Sequence, residues 1–324
     1  MPEETLPTRR AGRDGASRRP VMLAIAGDSA AGKTTLTRGL VEALGPGRCV
    51  SLCTDDYHRY DRAERAELPI TALHPDGNYL GIMEQHLQLL ATGAPVLKPV
   101  YDHSTGTLTR PELVEPAELV IVEGLLPLHS RLSRACFDIT VYLDPPEKIR
   151  REWKIARDTG ERGYTVDTVL GDLERREPDA EAHIRPQRRN ADLVLRFAPI
   201  DGHDDPEGTP LSATVMMRPT IDHPDLTDVL APGPSRAMHL GIDRDSDGRA
   251  ADSLHVHGYV EREESMAVQK SIWTALGTPG SDPPGSDPPD CLGRLEGRRG
   301  ADERSEPLAI AQLVLLHYLM ERAR

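Results

Sequence analysis

The feature that most constrains this chain is the stretch at 27–35, which reads GDSAAGKTT. It matches the pattern G-x-x-x-x-G-K-[ST], a loop whose backbone N–H groups hold the phosphates of a nucleotide. An apolar run at 21–26 precedes the loop and an amphipathic helical pattern follows it, which is the strand–loop–helix context that the motif requires. We therefore expect Lys33 to reach the β- and γ-phosphates and Thr34 to bind Mg²⁺ through its hydroxyl.

Composition excludes several classes of function. The formal net charge of −13 and the isoelectric point of about 5.4 argue against a nucleic-acid partner that is held by a general basic field. No apolar run is long enough to predict a membrane span. The four cysteines include no C-x-x-C pair, and a disulfide framework is not expected in a chain of this length. The simplest prediction is a cytoplasmic protein with no membrane partner.

Short apolar runs at 49–53, 119–122, 137–143 and 191–197 predict further strands, with helical patterns between them. The run at 119–122 is continuous, as expected of a strand that is buried on both faces. Strands that alternate with helices predict an α/β fold with a mostly parallel central sheet and helices on both faces.

The pattern changes after residue 200. Apolar residues alternate with others at 211–217, 238–242 and 254–258, which predicts antiparallel strands, and helical patterns follow near 263–276 and 308–323. A repeated GSDPP sequence lacks apolar residues and predicts a mobile segment. The predicted organisation is a disordered leader at 1–19, a phosphate-loop core at 20–200, and an extension at 201–324 with a mobile insertion near 278–305.

Carboxylates follow two of the predicted strands. Asp55 and Asp56 come after the second strand, beside His58 and Arg62, and Glu123 ends the strand at 119–122. In open α/β sheets the carboxyl ends of the strands form the ligand-binding edge. A kinase needs a carboxylate that takes the proton of the acceptor hydroxyl, and cations that hold an anionic acceptor. Taken singly, each residue also fits a helix cap, a turn or a solvated strand end.

The order of these segments resembles the phosphoribulokinase/uridine kinase family, and within it the plant and cyanobacterial branch of phosphoribulokinases. The resemblance is dense from about 21 to 200 and weaker beyond. The segments that carry it lie at 26–35, 54–58, 70–73, 98–106, 122–125, 153–158 and 161–164. It implies a P-loop NTPase kinase fold, ATP and Mg²⁺ as cofactors, and phosphorylation of the 1-hydroxyl of ribulose 5-phosphate.

The resemblance also implies roles for individual residues. Asp55 corresponds to the catalytic base, although the sequence leaves open an exchange of roles with Asp56. Lys33 and Arg157 complete the expected catalytic set. The residues expected at the nucleotide are Gly27, Asp28, Ser29, Ala30, Ala31, Gly32, Lys33, Thr34, Thr35, Arg162 and Arg175. Those expected at the sugar phosphate are His58, Arg62, Tyr101, His103 and Lys154, and those expected at the metal are Thr34 and Glu123. A mobile lid carrying Lys154, Arg157 and Arg162, followed by Arg175 and Arg176, would close over the phosphates.

Two departures from the family pattern qualify these expectations. Photosynthetic relatives have a cysteine at the position of Ala31, whose usual partner position here is Cys53, so the regulatory disulfide of those enzymes cannot form. Cys49 cannot replace it, because residues four apart on one strand are too distant to bridge. The family has a histidine where this chain has Leu126, and His129 follows three residues later.

Three functions therefore stay open at this stage. The first is a phosphoribulokinase, which the family implies to be a homodimer. The second is a kinase of the same family that acts on uridine or another sugar phosphate, as Leu126 suggests. The third is a catalytically inactive nucleotide-binding regulatory protein, against which the presence of Lys33, Thr34, Asp55 and Glu123 together argues.

Overall fold

We analysed a computed structural model of the chain. It describes residues 19–160, 162–200, 209–227, 237–246, 248–276, 287–295 and 303–324. Of the predicted leader, Arg19 alone is described, and its guanidinium pairs with the carboxylate of Asp138. The first copy of the GSDPP repeat and the start of the second lie outside the described residues, so the predicted mobility of that segment stays a prediction.

The described residues contain twelve strands and eight α-helices. The strands are β1 (Val21–Gly27), β2 (Cys49–Cys53), β3 (Val96–Lys98), β4 (Tyr101–Asp102), β5 (Thr107–Leu108), β6 (Glu112–Val114), β7 (Leu119–Gly124), β8 (Ile139–Leu143), β9 (Leu193–Ala198), β10 (Ser212–Met217), β11 (Met238–Arg244) and β12 (Ala250–Val256). The helices are α1 (Lys33–Leu44), α2 (Arg62–Ala66), α3 (Leu80–Ala91), α4 (Arg131–Arg134), α5 (Glu147–Gly160), α6 (Val166–Asp179), α7 (Arg262–Ala275) and α8 (Glu306–Ala323).

The central sheet confirms the predicted fold class. Eight strands lie in the order β11-β12-β10-β9-β8-β1-β7-β2. The strands from β9 to β2 in this order pair in parallel, and β9 pairs antiparallel with β10, as β10 does with β12 and β12 with β11. The extension after residue 200 therefore lengthens the parallel sheet with antiparallel strands. Two small sheets, β3-β6 and β4-β5, were not predicted, because each strand has only two or three residues.

The register of three parallel strands positions the candidate site. Glu123, near the end of β7, pairs with Ile25 of β1 on one side and with Cys53, the last residue of β2, on the other. Since these strands run in the same direction, the segments that follow them meet at one edge of the sheet. The phosphate loop and Asp55 are therefore brought to either side of Glu123.

The last helix packs behind the phosphate loop. From Pro307 to Leu319 every residue of α8 is buried, against the sheet and α1. The Gln312 amide donates to the Leu36 carbonyl at 3.2 Å and accepts from the Gly293 backbone N–H at 2.7 Å. A Cβ atom at Gly39 would lie 2.1 Å from the Gln312 amide nitrogen, so glycine is what allows α8 to approach α1 this closely.

Part of the insertion predicted near 278–305 is described, and its apolar residues are packed. Leu292 is fully buried and Leu295 packs against the same core, while Ser305 caps α8 by accepting from the Leu308 backbone N–H. Leu292 and Leu295 pack this segment against the core. The neighbouring repeat, which is rich in Gly, Ser, Asp and Pro, had suggested mobility for both segments. Within the described residues, the structure contains no helix with the length and apolar character that a membrane crossing requires.

Candidate active site

The phosphate loop connects β1 to α1, and the side chain of Lys33, the first residue of α1, folds back onto it. Lys33 donates to the Asp28 carbonyl at 2.8 Å and to the Gly27 carbonyl at 3.1 Å, and the side chain is buried. Gly32 precedes the helix with φ 94° and ψ 12°, a left-handed conformation that glycine adopts without strain. The Lys33 ammonium is therefore held over the loop, next to the N-terminus of α1, where the helix dipole favours anions.

An arginine that the sequence analysis did not single out supports the loop from α5. Arg150 is buried and donates to the Ser29 carbonyl at 3.0 Å, and it lies 3.5 Å from an Asp28 carboxylate oxygen. The other Asp28 oxygen is buried and has no hydrogen-bond partner among the described residues. Arg150 was missed because a charged helix usually marks a solvated face; its i, i+3 pairing with Glu147 gives no sign of the loop contact.

Thr34 and Glu123 meet beside the loop. The Thr34 hydroxyl donates to a Glu123 carboxylate oxygen at 2.9 Å, which joins the start of α1 to the end of β7. Burial raises the pKa of Glu123, while Lys33 counters this effect and Asp55 adds to it. Hydroxyl and carboxylate oxygens are the donors that Mg²⁺ prefers. The donor set therefore fits a magnesium ion, whose charge would relieve the crowding of carboxylates.

The two adjacent aspartates have different environments. Both Asp56 oxygens are engaged: Oδ2 pairs with the Lys98 ammonium and Oδ1 accepts from the Tyr101 backbone N–H at 2.9 Å. Asp55 Oδ1, by contrast, is buried and has no hydrogen-bond partner among the described residues. Asp55 thus presents an unused carboxylate oxygen, whereas Asp56 anchors the segment around β3 and β4.

Asp55 is ionised despite its burial. Burial alone would raise its pKa, but the nearby His58, Lys33 and His103 side chains favour the charged form, and the net effect is a pKa below the ordinary value. The Asp55 carboxylate is therefore available as a proton acceptor at neutral pH.

A wall of aromatic and cationic side chains lies next to Asp55. His58 is buried, with its Nδ1 2.7 Å from the Asn78 side-chain oxygen, and its ring packs edge-on against Tyr101 at 4.9 Å. The Tyr101 and His103 rings are 5.1 Å apart, and Arg62 donates to the His103 carbonyl at 2.6 Å. The structure thus brings together the four residues expected at the sugar phosphate from this part of the chain.

Arg65 belongs to the same wall and was missed by the sequence analysis. Its guanidinium donates to the Tyr101 hydroxyl at 3.2 Å and lies over the Tyr101 ring, 5.7 Å from the centroid. The side chain is buried, which is unusual for arginine and points to a fixed position. No motif marks this residue, because α2 is one short turn whose exposed residues surround it.

The predicted lid residues form a packed hairpin of α5 and α6. Asp158, which is buried, accepts from Lys154 at 2.7 Å and from Arg157 at 2.9 Å, and Arg162 lies 3.4 Å from it. Burial, with Arg176 nearby, lowers the pKa of Lys154 to about 8. Lys154 and Arg176 share one small cavity with Asp28 and Ser29, so this hairpin borders the phosphate loop.

Lys154 and Arg175 lie in surroundings that differ from those expected at the sugar phosphate and the nucleotide. Lys154 is 1% exposed and bonded to its own helix, so in this arrangement it does not reach the wall around His58. Arg175 is an exposed residue that pairs with Asp172 at 3.1 Å. Leu126 packs in an apolar cluster with Leu73 and Ile184, where a histidine would be poorly accommodated.

Comparisons with a family profile and with individual proteins point to the same family. Residues 22–201 match the profile of a family described as the Phosphoribulokinase / Uridine kinase family. The chain is 34% identical to the Phosphoribulokinase of Synechocystis over 276 residues, which cover 80% of this chain and 83% of the relative. It is 33% identical to the chloroplastic Phosphoribulokinase of Arabidopsis thaliana over 221 residues, 63% of this chain and 56% of the plant protein.

A solved structure supports the fold alone. The phosphoribulokinase from Rhodobacter spheroides superposes with a TM-score of 0.55 at 19% identity, covering 74% of this chain and 91% of that one. At this identity the match shows that the two chains share a fold and carries no residue roles.

Proposed function

Because the chain belongs to the phosphoribulokinase/uridine kinase family, we propose that it transfers the γ-phosphoryl group of ATP to the 1-hydroxyl of ribulose 5-phosphate, giving ribulose 1,5-bisphosphate and ADP. The observation that carries the proposal is the ionised Asp55, whose Oδ1 has no hydrogen-bond partner among the described residues and whose charge interacts with Lys33 and with Glu123, the acceptor of the Thr34 hydroxyl. A proton acceptor, a phosphate-binding cation and a metal-binding pair are what phosphoryl transfer requires.

The chemistry of the step follows from these residues. The acceptor hydroxyl oxygen forms a bond to the γ-phosphorus, the bond from that phosphorus to the bridging oxygen breaks, and ADP leaves with the electron pair. Asp55 takes the hydroxyl proton. Lys33 and the loop N–H groups stabilise the charge that spreads over the phosphoryl oxygens. Thr34 and Glu123 would hold Mg²⁺, which neutralises charge on the β- and γ-phosphates when it is bound.

Acceptor recognition is assigned to the wall beside Asp55. It consists of His58, Arg62, Arg65, Tyr101 and His103, and Arg62 is an exposed cation at its rim that suits a phosphate. Arg157 and Arg162 would stabilise the transferring phosphoryl group if the α5–α6 hairpin closes. Lys154 joins them in that role only by leaving Asp158.

We also propose a cytoplasmic homodimer. β11 is an edge strand of the central sheet, and its Leu240 and Ile242 side chains are 48% and 82% exposed. Unpaired edges with exposed apolar side chains are normally covered, and pairing with a second copy would cover this one. Sedimentation at micromolar concentration tests this part independently of catalysis.

The proposal is tested by ADP release from ATP and Mg²⁺ with and without ribulose 5-phosphate, using Lys33→Met as the control. We expect release that depends on ribulose 5-phosphate in the wild type and is lost in the variant. Tight ATP binding without stimulation by any acceptor would instead favour a regulatory nucleotide-binding protein.

One observation favours a second acceptor class. Leu126 fills an apolar cluster at the position where the family pattern has a histidine, so this side chain offers no polar group to an acceptor. A site without a polar group at that point rejects an acceptor that lacks the matching polar group, such as uridine, less strongly than a site with a histidine there. A kcat/KM that is higher for uridine than for ribulose 5-phosphate would establish this alternative.

A further inference from the structure

Two segments distant in sequence bring imidazole and carboxylate groups together outside the site described above. One ligand atom from each of His74, Asp179 and His183 lies within 4.8 Å of the others, and all three residues are half-buried. The His74 and His183 rings meet edge-on with their centroids 4.7 Å apart. His74 lies in the loop before α3, Asp179 ends α6, and His183 lies in the helical turn that follows.

We propose that His74, Asp179 and His183 form a site for a divalent transition-metal ion of the zinc class. Two imidazoles and one carboxylate, with a further position for water, is a ligand set that zinc and similar ions accept. Ligands about 2.1 Å from a tetrahedral zinc ion lie about 3.4 Å from one another, so the three groups need only modest side-chain rotation to close around an ion.

Neighbouring hydrogen bonds orient the carboxylate. Asp179 Oδ2 accepts from the Thr71 hydroxyl at 2.7 Å and from the Thr71 backbone N–H at 3.0 Å. These bonds fix the carboxylate plane while using one oxygen, as the outer contacts of metal ligands commonly do. Oδ1 is then the oxygen offered to the ion.

Occupation has one local consequence. The Asp76 backbone N–H donates to His74 Nδ1 at 3.1 Å. A metal on Nδ1 displaces this bond, and a metal on Nε2 leaves the proton on Nδ1, which then cannot accept it. Metal binding through either nitrogen therefore frees the Asp76 amide.

The site is linked to the acceptor wall by short steps. The Asn78 amide donates to the His74 carbonyl at 2.8 Å, and its oxygen lies 2.7 Å from His58 Nδ1. An ion that ties His74 to the end of α6 would therefore restrict the loop that positions His58. We expect it to change the KM for the acceptor more than it changes ATP binding.

The test is titration of the purified, chelator-treated full chain with Zn²⁺ by calorimetry, and with Co²⁺ by visible absorption. A large excess of Mg²⁺ is kept present, because it occupies oxygen-rich sites such as Glu123 and competes poorly for imidazole. We expect one site whose affinity falls at least about tenfold in His183→Gln and in Asp179→Asn. Asp179→Asn retains an oxygen for Thr71, and circular dichroism confirms that each variant is folded.

His239→Gln is the matched control, since His239 is an exposed residue of β11 whose ring stacks on those of His255 and His257, in a separate cluster at the other end of the sheet order. The control and His129→Gln should bind as the wild type does, because neither His239 nor His129 belongs to the group whose ligand atoms lie within 4.8 Å of one another. Absence of binding by the wild type, equal binding by wild type and His183→Gln, or loss of binding in His239→Gln alone would each overturn the proposal.

Discussion

The two adjacent aspartates provide a test with two matched substitutions. We expect Asp55→Asn to lower kcat and Asp56→Asn to lower the free energy of unfolding. Asp55→Asn replaces an ionised carboxylate, whose Oδ1 is unused, by a neutral amide of the same shape. Asp56→Asn instead removes the charge that pairs with Lys98 and weakens the acceptor for the Tyr101 amide. The two changes are chemically identical and one residue apart, so each is the control of the other.

The expected magnitudes follow from these contacts. Loss of a general base lowers kcat by about 10²- to 10⁴-fold, and we expect this for Asp55→Asn with little change in the KM for ATP. The Lys98 and Asp56 side chains are 6% and 14% exposed, so breaking their pair leaves a buried ammonium and lowers the free energy of unfolding by about 3 kcal/mol. The stability cost of Asp55→Asn should be smaller, because the burial of the Asp55 charge opposes its favourable interactions.

Two measurements separate the effects. Urea unfolding gives the free energy of each variant, and initial rates of ADP release at low temperature, where both variants are folded, give kcat. A folded Asp56→Asn with the larger loss of kcat and an Asp55→Asn with a near-normal rate would refute the assignment of the base.

Three further results are expected. Arg150→Lys should lower kcat/KM for ATP by about tenfold or more, since a charged hydrogen bond to the Ser29 carbonyl contributes about 1.5–3 kcal/mol, while Arg151→Lys should have little effect; equal effects would contradict the loop contact. Gly39→Ala should lower the unfolding free energy by about 1–3 kcal/mol by displacing Gln312, whereas Gly171→Ala, with no atom within 4 Å of its added Cβ, should be neutral or stabilising. Treatment with an oxidant that converts thiol pairs to disulfides should leave kcat unchanged, because Ala31 of the phosphate loop cannot form a disulfide with Cys53; a reversible loss of more than half the activity would contradict this.

The parallel core was predictable because its signals are local. The phosphate motif specifies a strand, a loop and a helix in sequence, and buried parallel strands appear as continuous apolar runs. The antiparallel extension was predictable for the same reason, since the alternation of apolar residues at 211–217 corresponds to β10. The predicted boundaries differ from the observed ones by a few residues, since strand ends depend on pairing with distant partners.

The distinction between Asp55 and Asp56 was not predictable. Both follow the same strand, and the residue that engages Asp56 is Lys98, 42 positions later. Arg65 and Arg150 were missed for the same reason, because their burial depends on contacts with Tyr101 and the phosphate loop. Charged residues in short or polar helices give no sequence signal that separates a buried contact from a solvated one.

The buried course of the chain around Leu292 was also hidden. A Pro/Gly/Asp/Ser-rich repeat precedes it, and composition averaged over such a segment indicates mobility. Leu292 and Leu295 nevertheless pack into the same apolar cluster as α8, so isolated apolar residues in a polar segment can belong to the core.

The position of the new phosphate group tests the central claim most directly. The purified chain would be incubated with ATP, Mg²⁺ and either ribulose 5-phosphate or uridine, and the products identified by phosphorus NMR. We predict a second phosphate ester on the 1-carbon of ribulose 5-phosphate, formed by the wild type and not detectably by Asp55→Asn. Preferential formation of a uridine monophosphate, or phosphorylation at another ribulose carbon, would contradict the account.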